Sequence, residues 1–261
     1  MLIYPILKAP NCNGFTTICN FPANNWELSS KKKKLINLIW AYNDKWHSKV
    51  IGELEYGFMQ TIKFNNILDI PNDAFPILSL TDQKIPSLNE LFPKIIYKTT
   101  QLPAWRATVG LETSESSTSF QGEIMVFPSH GSLLSFVPLI QYGSEVENYL
   151  IFLNLESSPI KRKSFLEFYI PSERCKLINK FIVYSNSINI INLKDMNIRA
   201  DQLLVIACKG MSGIPLIFSK TQDGKFVSLE HTHPPASLVV HGDRNELQKR
   251  LKKIWFSRLS I

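Results

Sequence analysis

The chain has 261 residues, 44% of them hydrophobic, and its 29 Lys and Arg outnumber 22 Asp and Glu for a formal net charge of +7. That length and apolar content can bury a sizeable core, so the chain need not be stapled by disulfides or metal, and one large domain or two intimate ones would both fit. The positive balance favours an anionic partner, whether nucleic acid, acidic polysaccharide or lipid headgroup.

The N-terminus lacks a basic n-region, and Pro5 and Pro10 interrupt its short apolar run. No apolar stretch approaches the roughly 20 residues that span a bilayer. The four cysteines, Cys12, Cys19, Cys175 and Cys208, show neither a C-x-x-C pair nor a small-domain spacing, so a soluble cytoplasmic protein with reduced thiols is expected. Residues 1–30 read as extended and turn segments. Lys31 to Trp46 reads as a helix, because Leu35, Ile39, Tyr42 and Trp46 fall at i, i+4, i+7 and i+11 behind a Ser30 cap. Four lysines, Lys31 to Lys34, then stand at the positive end of its dipole, where they are either solvated or meet an acidic surface or phosphate.

Strands are expected from Ile51 to Ile70, and Ser87 to Glu90 has the capping-box form of a short helix. Beyond Pro103, β-branched and aromatic runs recur with turn residues between them: Trp105–Leu111, Phe120–Phe127, Ser132–Tyr142, Asn148–Leu155, Phe165–Ile170, Phe181–Leu193 and Leu203–Ala207. Such spacing, with no helical period between, argues an antiparallel sandwich or barrel. Alternation sets Leu166, Phe168 and Ile170 inward, and assigns Ile182, Tyr184, Asn186, Ile188 and Ile190 inward on the next run. Lys161-Arg162-Lys163 reads as a solubility feature of a turn. Gln222-Asp223-Gly224 between two apolar runs predicts a hairpin. Asp243 and Glu246 form a capping box for a last helix whose stripe is Leu247, Leu251, Ile254, Trp255 and Leu259, and which exposes Lys249, Arg250, Lys252, Lys253 and Arg258.

The expected fold is therefore mainly β: an antiparallel β-sandwich or barrel with a mixed α+β N-terminal third and a C-terminal amphipathic helix. The regions are 1–100, mixed α+β, and 101–261, sandwich-like and closed by helix 243–259, the two being separable or one continuous domain.

Gly210-Met211-Ser212-Gly213-Ile214-Pro215 resembles the G-x-S-G-x-P nucleophile loop of trypsin-like serine proteases, and the strand, turn, strand and helix that follow keep that family's order. The resemblance covers the last fifth of the chain and implies Ser212 as a nucleophile beside an oxyanion hole. The upstream histidines, His47 and His130, lack that family's Ala-His-Cys setting, and the α/β-hydrolase elbow fits less well because a strand follows the serine. His231-x-His233 sets two imidazoles on one strand face, with Glu230, His241 and Asp243 nearby in sequence. Because Glu230 points to the opposite face and His241 is displaced, two imidazoles leave a metal half coordinated, and no metal or cofactor is implied. Catalytic candidates are thus Ser212, His231 and His233. Ligand-binding candidates are Arg106, a potential carboxylate or phosphate fork, His130, Glu230 and His241.

The expected function is binding of an anionic ligand or protein partner without catalysis. Alternatives are a hydrolase built on Ser212 or on a His231/His233 metal, and a nucleic-acid binder using the Lys31–Lys34 helix and the C-terminal helix with Trp40, Trp46 and Trp255.

Overall fold

The computed structural model describes residues 3–21, 32–67, 70–89, 107–122, 132–137, 145–196, 203–231, 250 and 253–259. In chain order the strands are β1 (Tyr4–Pro5), β2 (Asn13–Cys19), β3 (Lys34–Tyr42), β4 (Lys45–Leu54), β5 (Met59–Lys63), β6 (Ile77–Thr81), β7 (Thr108–Glu112), β8 (Ser117–Gln121), β9 (Leu133–Val137), β10 (Val146–Asn154), β11 (Lys163–Ile170), β12 (Lys176–Tyr184), β13 (Ser187–Asn192), β14 (Leu204–Cys208), β15 (Ile214–Thr221) and β16 (Val227–His231). They form four antiparallel four-stranded sheets, ordered β1-β6-β3-β4, β5-β2-β7-β8, β13-β10-β15-β16 and β12-β11-β14-β9. The mainly β reading holds. The second sheet takes strands from both sides of residue 100, because β7 pairs with β2.

The third sheet is the middle of the molecule, and the alternation of β10 and β15 explains why. Tyr149, Ile151, Leu153, Leu216 and Phe218 enter a core shared with the first two sheets, while Leu150, Phe152 and Ile217 enter a second core against Leu166, Phe168 and Ile206 of the fourth sheet. Both faces of these strands are buried, so they are apolar almost throughout. The outer face of the fourth sheet carries a third, smaller cluster, in which Leu134, Tyr169, Val205 and Ala207 meet Leu259 with Trp255 and Phe256 packed alongside. A helix over residues 250 and 253–258 supplies that cover. Its buried side is Trp255, Phe256 and Leu259; Ile254, assigned to the stripe, is exposed, and Leu247, Leu251 and the Asp243 cap lie outside the described residues.

The helix expected from Lys31 to Trp46 is instead the β3–β4 hairpin, in register from Lys34 opposite Leu54 to Tyr42 opposite Lys45. Ile36, Leu38 and Ile39 are all buried, so the strand is apolar on both faces. A two-sided strand and a buried helix share that pattern, and Leu35, Ile39 and Tyr42 matched the helical period by coincidence. The deciding signal is Asn43-Asp44, whose φ angles of 49° and 58° make the two-residue turn that matches strand twist. At Ser87–Asn89 no helix forms; Leu88 bridges Trp46 instead, its N–H donating to the Trp46 carbonyl at 2.9 Å.

Candidate functional site

Beyond β11 the run 181–193 does not continue as one strand. Asn186 takes a φ of 52° and turns the chain after Tyr184, and its side chain locks the turn by donating to Ser158 O at 2.7 Å and accepting from Glu156 N at 2.9 Å. The β11–β12 register puts Lys163 opposite Tyr184, Phe165 opposite Ile182 and Glu167 opposite Lys180. Leu166 and Phe168 point inward as expected. Inward residues on β12 include Val183, however, and Ile182 and Tyr184 stand outward, reversing the assigned faces.

That reversal makes a surface of mixed chemistry. Phe165, Ile182 and Tyr184 are 43%, 48% and 39% exposed. Lys161 Nζ sits 5.0 Å from the Tyr184 ring centroid, while Lys180 and Lys163 approach the Phe165 ring at 4.2 and 5.8 Å. Ring faces are electron-rich, so each lysine is held over one by attraction to its quadrupole. Lys180 also pairs with Glu167 at 2.7 Å and Lys161 with Asp73 at 2.8 Å. The Lys161 hydrogen bond holds the Asp73 carboxyl below the usual carboxylate range. Arg162, between two of the lysines in sequence, is committed elsewhere: its Nε and Nη2 donate to buried Glu156 at 2.7 and 2.6 Å, and Nη2 also reaches the Gly210 carbonyl at 3.0 Å. That pairing raises the Arg162 pKa further.

The same outer face continues under the C-terminal helix. Tyr169, six residues along β11 from Lys163 and so about 20 Å away, is covered by that helix. Arg250, Lys253 and Arg258 are exposed on the helix, and Arg258 lies 5.4 Å from the Trp255 ring. One side of the fourth sheet thus bears three lysines among open rings at one end and three cations on a helix at the other.

The residues singled out from sequence fall elsewhere. Ser212 is half-buried on the loop between β14 and β15; its carbonyl accepts a hydrogen bond from Asn154 Nδ2, and among the described residues no hydrogen bond reaches its hydroxyl. Gly213 is explained by packing, since a Cβ there would stand 2.5 Å from both Leu153 O and the Phe152 ring. On β16, Glu230 is exposed opposite Ile217, and His231 pairs with Leu216 rather than with the Ser212 loop. Arg106, His130, His233, His241 and Asp243 lie outside the described residues. Lys33 and Lys34, expected at a helix start, belong to a strand and its approach and are paired with Glu53 and Asp82. Trp46 is core, with Nε1 donating to Ser157 O at 2.9 Å, and Trp40 stacks on His47. Among the described residues no helix is long and apolar enough to cross a membrane.

Two cavities are lined by described residues. One of about 350 Å³ lies at β10, β15 and β16 beside Lys220, Thr221 and Phe226. There Lys220 is paired with Glu147 at 2.6 Å and Ser219 donates to Asn148 at 2.6 Å. The other, about 250 Å³, is lined by Tyr42, Asp44, Asp73, Lys161 and Asn186, and Lys161 joins it to the aromatic face. Sequence reasoning missed that face because Lys161-Arg162-Lys163 looks like any solvated turn; the available signal was Lys163-x-Phe165-x-Glu167, which alternation sets opposite the inward Leu166 and Phe168. Comparison with protein families, with curated proteins and with solved structures returns no match.

Proposed function

We propose that this protein binds an anionic partner through the outer face of β11 and β12. The observation that carries the reading is the seating of Lys161, Lys163 and Lys180 over exposed Tyr184 and Phe165. The Lys161–Asp73 pair is solvent-exposed, and such a pair contributes only about 0–1 kcal/mol, so an incoming anion displaces little there. Lys180 is held more firmly, because Glu167 is largely buried, and among the described residues Lys163 has its ring contact alone to give up. The net charge of +7 adds long-range attraction. A reducing cytoplasmic setting is part of the reading and fits four free cysteines.

Replacing Lys161, Lys163 and Lys180 together by Gln should move elution from immobilised heparin to lower salt and reduce the slope of log affinity against log salt, because each neutralised anion releases counterions. The control is the triple Gln variant of Lys32, Lys45 and Lys84, exposed lysines outside this face. Equal shifts in the two variants would mean that heparin reads net charge alone, and the proposed face would be abandoned.

A further inference from the structure

We infer that the anionic partner is a single-stranded nucleic acid whose bases stack on Phe165 and Tyr184 while its phosphates meet the lysines around them; this rests on the proposed binding face. A compact anion needs cations but has no use for ring faces. An acidic peptide has charge but no flat π-surface to set on them. Unpaired bases have both, and two rings on adjacent strands of an antiparallel pair offer two stacking positions. Phe165 is opposite Ile182 and Tyr184 opposite Lys163, so the rings occupy diagonal positions, roughly 7–8 Å apart at their backbones. Ile182 lies beside both and floors the step between them with an apolar contact.

Magnitudes favour the exchange. In the free protein the ring faces are occupied by Lys161 and Lys180 at 5.0 and 4.2 Å, weak contacts at exposed rings, and each ammonium keeps its carboxylate partner, Asp73 or Glu167, nearby. Stacking of a base on an aromatic side chain is the stronger contact, worth roughly fivefold to a hundredfold in affinity. A base therefore displaces the ammonium group, and the flexible lysine stem lets that group swing from the ring to the neighbouring phosphate. The chemistry demands nothing of base identity, because every base presents a π-face. A duplex hides its bases within the stack and gains only the lysine contacts.

The extent of the face suits a chain rather than a mononucleotide. From Lys163 the outer side runs about 20 Å to Tyr169, where the helix bearing Arg250, Lys253 and Arg258 takes over. The strand is inferred to enter over the open rings and to continue along those cations. Among the described residues, Glu167 and Asp73 are carboxylates within the ring cluster, and each is already matched by one of its lysines.

The test uses the full chain and the fluorescence anisotropy of labelled oligo(dT) and oligo(rU), with a labelled duplex and labelled heparin for comparison. Phe165→Leu and Tyr184→Leu keep apolar area but remove the ring, and their melting temperatures report folding. The expected result is that each Leu variant weakens both single strands by roughly fivefold to a hundredfold, leaves heparin within about twofold, and that the triple Gln variant weakens every probe. A larger loss with oligo(rU) than with oligo(dT) would assign the partner as RNA, and the reverse as DNA. Leu variants that bind single strands as tightly as the wild type would overturn stacking and leave the polyanion reading standing. Ring-dependent binding of labelled poly-glutamate in place of the oligonucleotides would overturn the inference in favour of an acidic protein. If the triple Gln variant of the face and its matched control behave alike on all probes, the face itself is wrong.

Discussion

Lys220 is the most deeply buried cation among the described residues, with 4% of its side chain exposed. It sits opposite Glu147 in the β10–β15 ladder, and Tyr149 OH donates to the same carboxylate at 2.9 Å. Glu147 is therefore held below its ordinary value near 4.5, chiefly by the Lys220 hydrogen bond, and Tyr149 is pushed up to about 12 by burial and by that carboxylate. The signs differ. A depressed carboxyl contributes stability above its unfolded pKa and loses it as pH falls through the lower folded value; a raised phenol contributes below about 10 and loses it as pH climbs towards 12. Melting temperature should thus fall below about pH 4.5, and Glu147→Gln should flatten that fall; an unchanged acid limb in the variant would remove this pair from the account. Glu147→Ala strands an ammonium in an apolar setting and should cost up to about 3 kcal/mol, the low end for a broken buried pair because Glu147 is 28% exposed. Lys220→Met keeps the volume and should cost clearly less, as urea unfolding of the two variants will measure.

The β3–β4 hairpin depends on two residues with positive φ, Asn43 and Asp44. A β-branched side chain pays about 1–2 kcal/mol for that conformation, so Asn43→Val should lower stability by roughly that amount, while Asp44→Gly should be neutral or stabilising. Had the segment been a helix, the glycine would cost about 1 kcal/mol instead; chemical denaturation separates the two. At the other end of the chain, Trp255, Phe256 and Leu259 cover Tyr169, Leu134 and Val205. Removing residues 253–261 uncovers that cluster, and the truncated protein should melt lower and bind a hydrophobic dye, in proportion to roughly 25 cal/mol for each Å² of apolar surface returned to water. A truncation with unaltered melting would make the helix dispensable.

At the scale of the molecule, β10 and β15 of the middle sheet are buried on both sides, one face in the core shared with the first two sheets and the other against the fourth. Gly213→Ala tests that packing at one point, because its Cβ would press on β10 through Leu153 O and Phe152. Overpacking of this kind costs about 1–3 kcal/mol, and it should lower the whole unfolding transition rather than create a second one. Much of this architecture is written locally. The turn at Asp223-Gly224, the inward set Leu166, Phe168 and Ile170, and the strand-turn rhythm after residue 107 each follow from φ preferences or alternation that a few neighbouring residues decide. What sequence could not supply is which side of a segment meets which layer. Leu35 to Tyr42 is apolar on both faces, and such a run carries no period to tell strand from helix until β4 and β6 flank it. The same holds at 181–184, where Val183 and Ile182 are equally apolar, and only the register with β11, with the turn at Asn186, chooses Val183 for the core. The candidate face follows from that choice: Tyr184 and Ile182 stand beside Phe165 and the lysines because a one-residue shift in register exchanges the two sides of a strand, and register is settled by pairing between distant segments.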